Sequence, residues 1–267
     1  MFNSSSACFS KRTPALLAIA LLLNACGGGS PGSSSTSGNS SSGSNSGPSS
    51  TTTVSGYGST EFDVAADNQI TSLQTTLTVP PQPAAIGTLF LWPGLQPGGA
   101  NYLPVDNGVL QPVLTWGPSC APGMQPPAYS GWWISAQYVN TIGHASGYTG
   151  CQGGAILPVA SGDQLRITMQ LNGSVWTQNI LNLQSGKSVS YAIDLQGQAQ
   201  NRALFIIESY QQATISSDVM FSDTRLSFAK PSACTALRRG INDLVGTPQL
   251  SADGLSCTIP LLILRSH

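Results

Sequence analysis

Residues 72–79 alternate strictly: Leu73, Thr75, Leu77 and Val79 on one side, Ser72, Gln74, Thr76 and Thr78 on the other. A period of two marks a strand with one buried face. The same alternation returns over 164–171, where Leu165, Ile167, Met169 and Leu171 interleave with Gln164, Arg166, Thr168 and Gln170. Asn172-Gly173 then predicts a tight hairpin turn. A strand over 175–183, a turn at Ser185-Gly186 and a strand carrying Val189, Tyr191, Ile193 and Leu195 follow. Further strands are expected over 88–92, 129–139, 203–210, 221–228 and 258–264. One helix is expected as well. Leu237, Ile241, Leu244 and Val245 fall at helical spacing, and Gly246 can end the segment. Short strands with Gly and Pro at their turns predict an all-β antiparallel sandwich or barrel. The helix and last strand would form a small appendage over 231–267.

The N-terminus breaks this pattern. Lys11 and Arg12 precede an apolar run over 15–23 that is too short to span a bilayer. Leu23-Asn24-Ala25-Cys26 ends it and resembles a lipobox, with Cys26 as the lipidated residue of a mature lipoprotein. An ordinary signal peptide cut near Ala25 is the alternative. Residues 1–26 are thus expected to be a leader. Residues 27–56 are Gly, Ser, Thr, Asn or Pro except for Val54. Such a stretch cannot bury enough apolar surface to fold and reads as a flexible linker. The folded part is expected over 57–230, followed by the appendage.

Charge excludes several partner classes. After Cys26, eight Lys and Arg stand against eleven Asp and Glu. No basic patch points to nucleic acid, and no long apolar run points to a membrane span. The expected contact with a membrane is through the N-terminal lipid, and the expected state is a monomer. Cys120, Cys151, Cys234 and Cys257 form an even set in the folded part, which in an oxidising compartment implies disulfides. Three connectivities are possible. Cys120–Cys151 and Cys234–Cys257 are preferred, since each encloses a local unit.

Chemistry centres on one residue. Glu208 is the only glutamate after Glu61, and it sits inside the strand-like run of residues 203–210. There it shares a face with Leu204, Ile206 and Tyr210. Unpaired burial raises a carboxyl pKa, which is how a general acid or base is tuned; a strand-end Glu facing solvent is the plain alternative. The folded part lacks a GxSxG motif. Of its two histidines, His267 is terminal and His144 lies in a Gly- and Ser-rich stretch. A zinc site is therefore not expected, and no cofactor is called for. Asp106, Asp163 and Asp194 read as turn or strand-end residues.

The order of several segments adds to this. Thr88-Leu89-Phe90-Leu91-Trp92-Pro93-Gly94-Leu95-Gln96 is followed by Gly108-Val109-Leu110-Gln111. Then come Tyr129-Ser130-Gly131-Trp132-Trp133, Ser161-Gly162-Asp163-Gln164-Leu165, and Phe205-Ile206-Ile207-Glu208. This order resembles the glutamic peptidases, the eqolisins, whose pattern is Trp-x-Gly-Ile-Asp, Ile-Leu-Gln, an aromatic strand, a Gly-Asp turn and Trp-Ile-Val-Glu. The resemblance spans about 73–228. It implies a concanavalin-like β-sandwich of two bent antiparallel sheets. It also implies a catalytic dyad of Gln111 and Glu208 that activates a water to cleave peptide bonds at acid pH. Trp92 and Trp132 match motif tryptophans. With Trp133 and Tyr138 they can line a cleft for an extended protein or peptide substrate. Gln96 stands where the family has Asp, Leu204 and Ser209 stand at two more acidic positions, and Pro112 follows Gln111. The resemblance thus implies an exported endopeptidase. The alternative is an inactive sandwich that binds peptide or carbohydrate through its aromatic cleft.

Overall fold

The computed structural model describes residues 59–83, 87–98, 108–121, 129–140, 150–211, 213–240 and 242–266. The leader, Cys26, the linker, Asp106, His144 and His267 lie outside them. The described chain is all-β. Its strands are β1 (Ser59–Asp63), β2 (Ile70–Thr78), β3 (Thr88–Gln96), β4 (Val109–Trp116), β5 (Trp132–Asn140), β6 (Gly150–Val159), β7 (Gln164–Asn172) and β8 (Val175–Asn182). They continue as β9 (Ser188–Asp194), β10 (Arg202–Tyr210), β11 (Val219–Phe228), β12 (Ala236–Arg239), β13 (Leu244–Val245), β14 (Gln249–Leu250) and β15 (Ser256–Leu264). No helix among the described residues is long and apolar enough to cross a membrane.

The strands form two antiparallel sheets. The first runs β12-β1-β10-β3-β4-β5-β6; the second runs β13-β15-β11-β2-β7-β8-β9, with β14 also on β15. One apolar core lies between them. It takes Leu73, Leu77, Ile167, Met169, Phe221 and Leu262 from the second sheet and Leu89, Leu91, Leu114, Ile134, Phe205 and Ile207 from the first. Edge-on ring pairs tighten it: Trp116 with Trp132 at 5.6 Å and Phe205 with Phe221 at 5.1 Å. Such pairs contribute about 0.5–1.5 kcal/mol each beyond their buried area. Gly173 takes a positive φ of 63° in the turn between β7 and β8, as its place in Asn172-Gly173 requires.

The two sheets differ on their outer faces. β7 and β9 alternate buried with exposed positions along most of their length, as expected where one face meets water. β3 and β5 are buried at every position, and β4 and β10 nearly so. A strand buried on both faces within an antiparallel sheet means that the outer face there is withdrawn from solvent.

The expected helix does not form. Ala236–Arg239 is a strand that extends the first sheet beyond β1, and Leu244–Val245 is a short strand on β15. Gly240 would cost a helix interior about 1 kcal/mol, and Asn242 and Asp243 are weak helix formers. Against this, β1 and β15 offer open ladder edges. Asn242 takes a positive φ of 65°. Asp243 accepts hydrogen bonds from Thr60 Oγ1 (3.3 Å) and the Arg265 backbone N–H (2.9 Å). The expected last strand is present as β15. It pairs with β11 along nearly its full length, so the C-terminal segment supplies strands to both sheets.

Both preferred disulfides are present. Cys120–Cys151 joins the segment after β4 to the start of β6, and Cys234–Cys257 joins the approach to β12 to β15. Their Cα–Cα distances of 5.8 and 5.9 Å are ordinary for such bonds.

Candidate active site

Strand register fixes what stands beside Glu208. It faces Phe90 on β3, Phe90 faces Thr115 on β4, and Thr115 faces Trp133 on β5. Directly opposed residues point to the same side of a sheet. Glu208 therefore shares the outer face of the first sheet with all three. One level along stand Ile206, Trp92, Val113 and Ser135; at the next stand Leu204, Gly94, Gln111 and Gln137. Phe90, Trp92, Val109, Val113, Leu204 and Ile206 form an apolar cluster separate from the main core, with Tyr210 packed against it.

Glu208 is 7% exposed within this cluster. Burial among apolar groups pushes its pKa from the usual carboxyl range up to about 7. The Trp92 indole N–H works against that shift by favouring the ionised form. It lies near the carboxyl without the geometry of a full hydrogen bond, and Trp92 Nε1 is otherwise unpartnered. Phe90 and Tyr210 meet edge-on at 5.6 Å on the same face. No ion pair among the described residues involves Glu208.

Gln111 shares this face but does not stand next to Glu208. It lies two strands across and four residues along, about 16 Å between Cα atoms in a flat sheet. Trp92 occupies the midpoint. The two side chains flank its indole and face each other only across whatever lies over that ring. The indole lies along β3, because a Cβ on Gly94 would sit 2.6 Å from its Cζ3 and 2.9 Å from its Cε3. The six-membered ring thus covers Gly94, and the N–H edge points the other way, toward the level of Glu208.

The ladder between β3 and β4 is interrupted at this place. Pairing holds at Leu91–Leu114 and at Leu95–Leu110 but not between them. Pro93 and Pro112 fall opposite each other in the gap. Neither has an N–H to donate.

Other expected site residues divide by parity. Trp133 is on the outer face, and its Nε1 donates to the Gly117 carbonyl at 3.3 Å. Gln96 is on the same face, 1% exposed, with Oε1 unpartnered. Trp132 and Tyr138 are not at the site. Both belong to the core between the sheets, at 2% and 0% exposure, because even positions of β5 point inward and odd positions outward. Tyr138 packs instead beneath Gly108, where a Cβ would sit 2.0 Å from its hydroxyl. Sequence reasoning missed Phe90, Gly94, Val113 and Thr115. The signal was available, since carrying the alternation from Glu208 through each neighbouring strand finds them, but it needs the register. Thr88 Oγ1, Thr115 Oγ1, Trp92 Nε1 and Gln96 Oε1 are all buried and unpartnered on strands that present this face. Buried polar atoms are normally satisfied.

Comparison with known proteins gives a distant likeness. No family model matches the chain, and no curated protein matches it. Among solved structures, scytalido-glutamic peptidase with a peptide-based transition-state analogue is similar at a TM-score of 0.49 and 14% identity. That match covers 76% of this chain and 97% of the other. SCP-B, a member of the eqolisin family of peptidases in complex with the tripeptide Ala-Ile-His, is similar at 0.46 and 15%, covering 76% and 96%. The enzymatically active domain of bacteriophage CBA120 tailspike protein 2 is similar at 0.37 and 12%, covering 63% of this chain and 23% of the other.

Proposed function

We propose that this chain is an exported peptide hydrolase in which Glu208 is the proton-transferring carboxyl. The observation that carries the reading is a buried glutamate on a withdrawn sheet face, with no ion-pair partner among the described residues and with the Trp92 indole beside it. The substrate peptide enters against the apolar cluster of Phe90, Trp92, Val113, Leu204 and Ile206. Ionised Glu208 takes a proton from a water, which attacks the scissile carbonyl. The Gln111 amide N–H, on the other flank of the indole, stabilises the developing oxyanion. Protonated Glu208 then returns its proton to the leaving amine. Trp133 and Gln96 border the cleft.

The pH dependence follows from burial. Glu208 must be ionised to act as the base, and below pH about 7 it is mostly protonated. The acid optimum implied by the eqolisin resemblance is therefore displaced: activity rises with pH through about 7 rather than peaking in strong acid. The test is digestion of an unfolded protein substrate across pH by wild type and Glu208→Gln. Loss of cleavage in a folded Glu208→Gln variant supports the mechanism, and full cleavage overturns it.

One observation favours a binding protein without turnover. Trp92 stands between Glu208 and Gln111, and Gln96, Leu204 and Ser209 are neutral where the resemblance expects acids. Calorimetric binding of apolar peptides by wild type, with no product formed at any pH, would decide for that reading. Export rests on the leader and on the two disulfides, which suit an oxidising compartment. Attachment through a lipid on Cys26 completes the proposal.

A further inference from the structure

We propose that Gly94 is a positioning residue. By lacking a side chain it lets the Trp92 indole lie along β3 with its N–H edge against the Glu208 carboxyl. The proposal rests on the reading of Glu208 as the reacting group, but its test does not. Three observations converge. A Cβ at position 94 would overlap the indole at 2.6 and 2.9 Å and would also lie 3.1 Å from the Leu110 carbonyl oxygen. Ile206 and Val113 flank Trp92 at its own level, and both are buried, so the ring has no sideways room. Pro93 biases the Trp92 backbone toward the extended conformation. Any side chain at 94 must therefore displace the indole and its N–H edge relative to the Glu208 carboxyl.

The surroundings leave the indole as the group that tunes this carboxyl. Thr88, Phe90 and Trp92 on β3 and Val113 and Thr115 on β4 are uncharged. On β10 the neighbours are Ile206 and Tyr210, and on β1 Ser59 faces Ile206. Tyr210 and, beyond it, Tyr129 are the titratable side chains at this end among the described residues. Glu61, Asp63 and Arg202 lie at the far end of the face, at the levels of Leu204 and Gln96, and pair with one another.

The chain has only two glutamates, Glu61 and Glu208, so labelling the glutamate side-chain carboxyl with ¹³C gives two resonances. Glu208→Gln identifies the Glu208 signal by removing it. In wild type that signal should titrate near pH 7. In Trp92→Phe the midpoint should rise by about half to one pH unit, as expected when a contact that favours the ionised form is lost, and in Gly94→Ala it should move as the indole is displaced. Combining the two substitutions should raise it no further. An unchanged midpoint in folded Gly94→Ala overturns the proposal. Should Gly94→Ala fail to fold by circular dichroism, Trp92→Phe decides: it deletes the N–H and keeps a ring, and an unmoved midpoint there overturns the proposal equally. The expected shifts in a protein that cleaves no peptide support the positioning role and overturn the peptidase reading.

Discussion

Glu208 carries a cost that can be measured apart from any catalysis. Its folded pKa of about 7 lies above the ordinary value of 4.5, so the folded state holds a proton that the unfolded state releases. Stability from this group is fully present below pH 4.5 and is lost as pH rises through about 7. Glu208→Gln removes that dependence. The variant should match wild type in acid and exceed it above neutrality by up to about 3 kcal/mol, read as a higher melting temperature. A Glu208 exposed to water would show no such difference. Gln111→Ala should lower turnover by about 10²–10³ if its amide serves the oxyanion, while leaving the Glu208 titration in place, because Trp92 separates the two. Much of this was legible in the sequence. The isolation of Glu208 and its company of Leu204, Ile206 and Tyr210 follow from alternation alone. The offset of Gln111 does not, because it depends on which strands are neighbours and in what register.

At the scale of elements, alternation succeeded where it was regular and failed where two large residues adjoin. β2, β7, β8 and β9 are found where their patterns put them. Trp132-Trp133 contains no signal for which ring is inside, and its assignment decides the face of Tyr138 too. The helix expected at the C-terminal end failed for another reason: local spacing competed with two open sheet edges and lost. Cys120–Cys151 fastens β6, an edge strand of the first sheet, to the segment leaving β4. Cys151 also lies near Gln137, with Sγ 3.7 Å from Oε1. Replacing both cysteines by serine should cost about 2–5 kcal/mol, measured by urea unfolding under non-reducing conditions. The loss should appear first as faster amide exchange in β6 and β5.

At the scale of the molecule, two sheets share one core and few charges guard the surface. With the leader removed, the mature chain should carry a diacylated Cys26 and partition with membranes, since two acyl chains suffice for stable anchoring. Cys26→Ser should move it to the soluble fraction; a wild-type protein recovered soluble and without lipid would rule the anchor out. The order of pairing has a kinetic meaning. β1 joins β10, β2 joins both β7 and β11, and β11 is completed by β15, whose residues are among the last of the chain. Such non-local pairing folds slowly, because long loops must close before contacts repay them. An early strand such as β2 cannot be buried on both edges until residue 219 and beyond have been made. The meanders β3-β4-β5-β6 and β7-β8-β9 can pair as they are made, but neither sheet is complete until β10, β11 and the C-terminal strands exist. That delay suits the proposed export, in which a chain is threaded through a membrane before it folds.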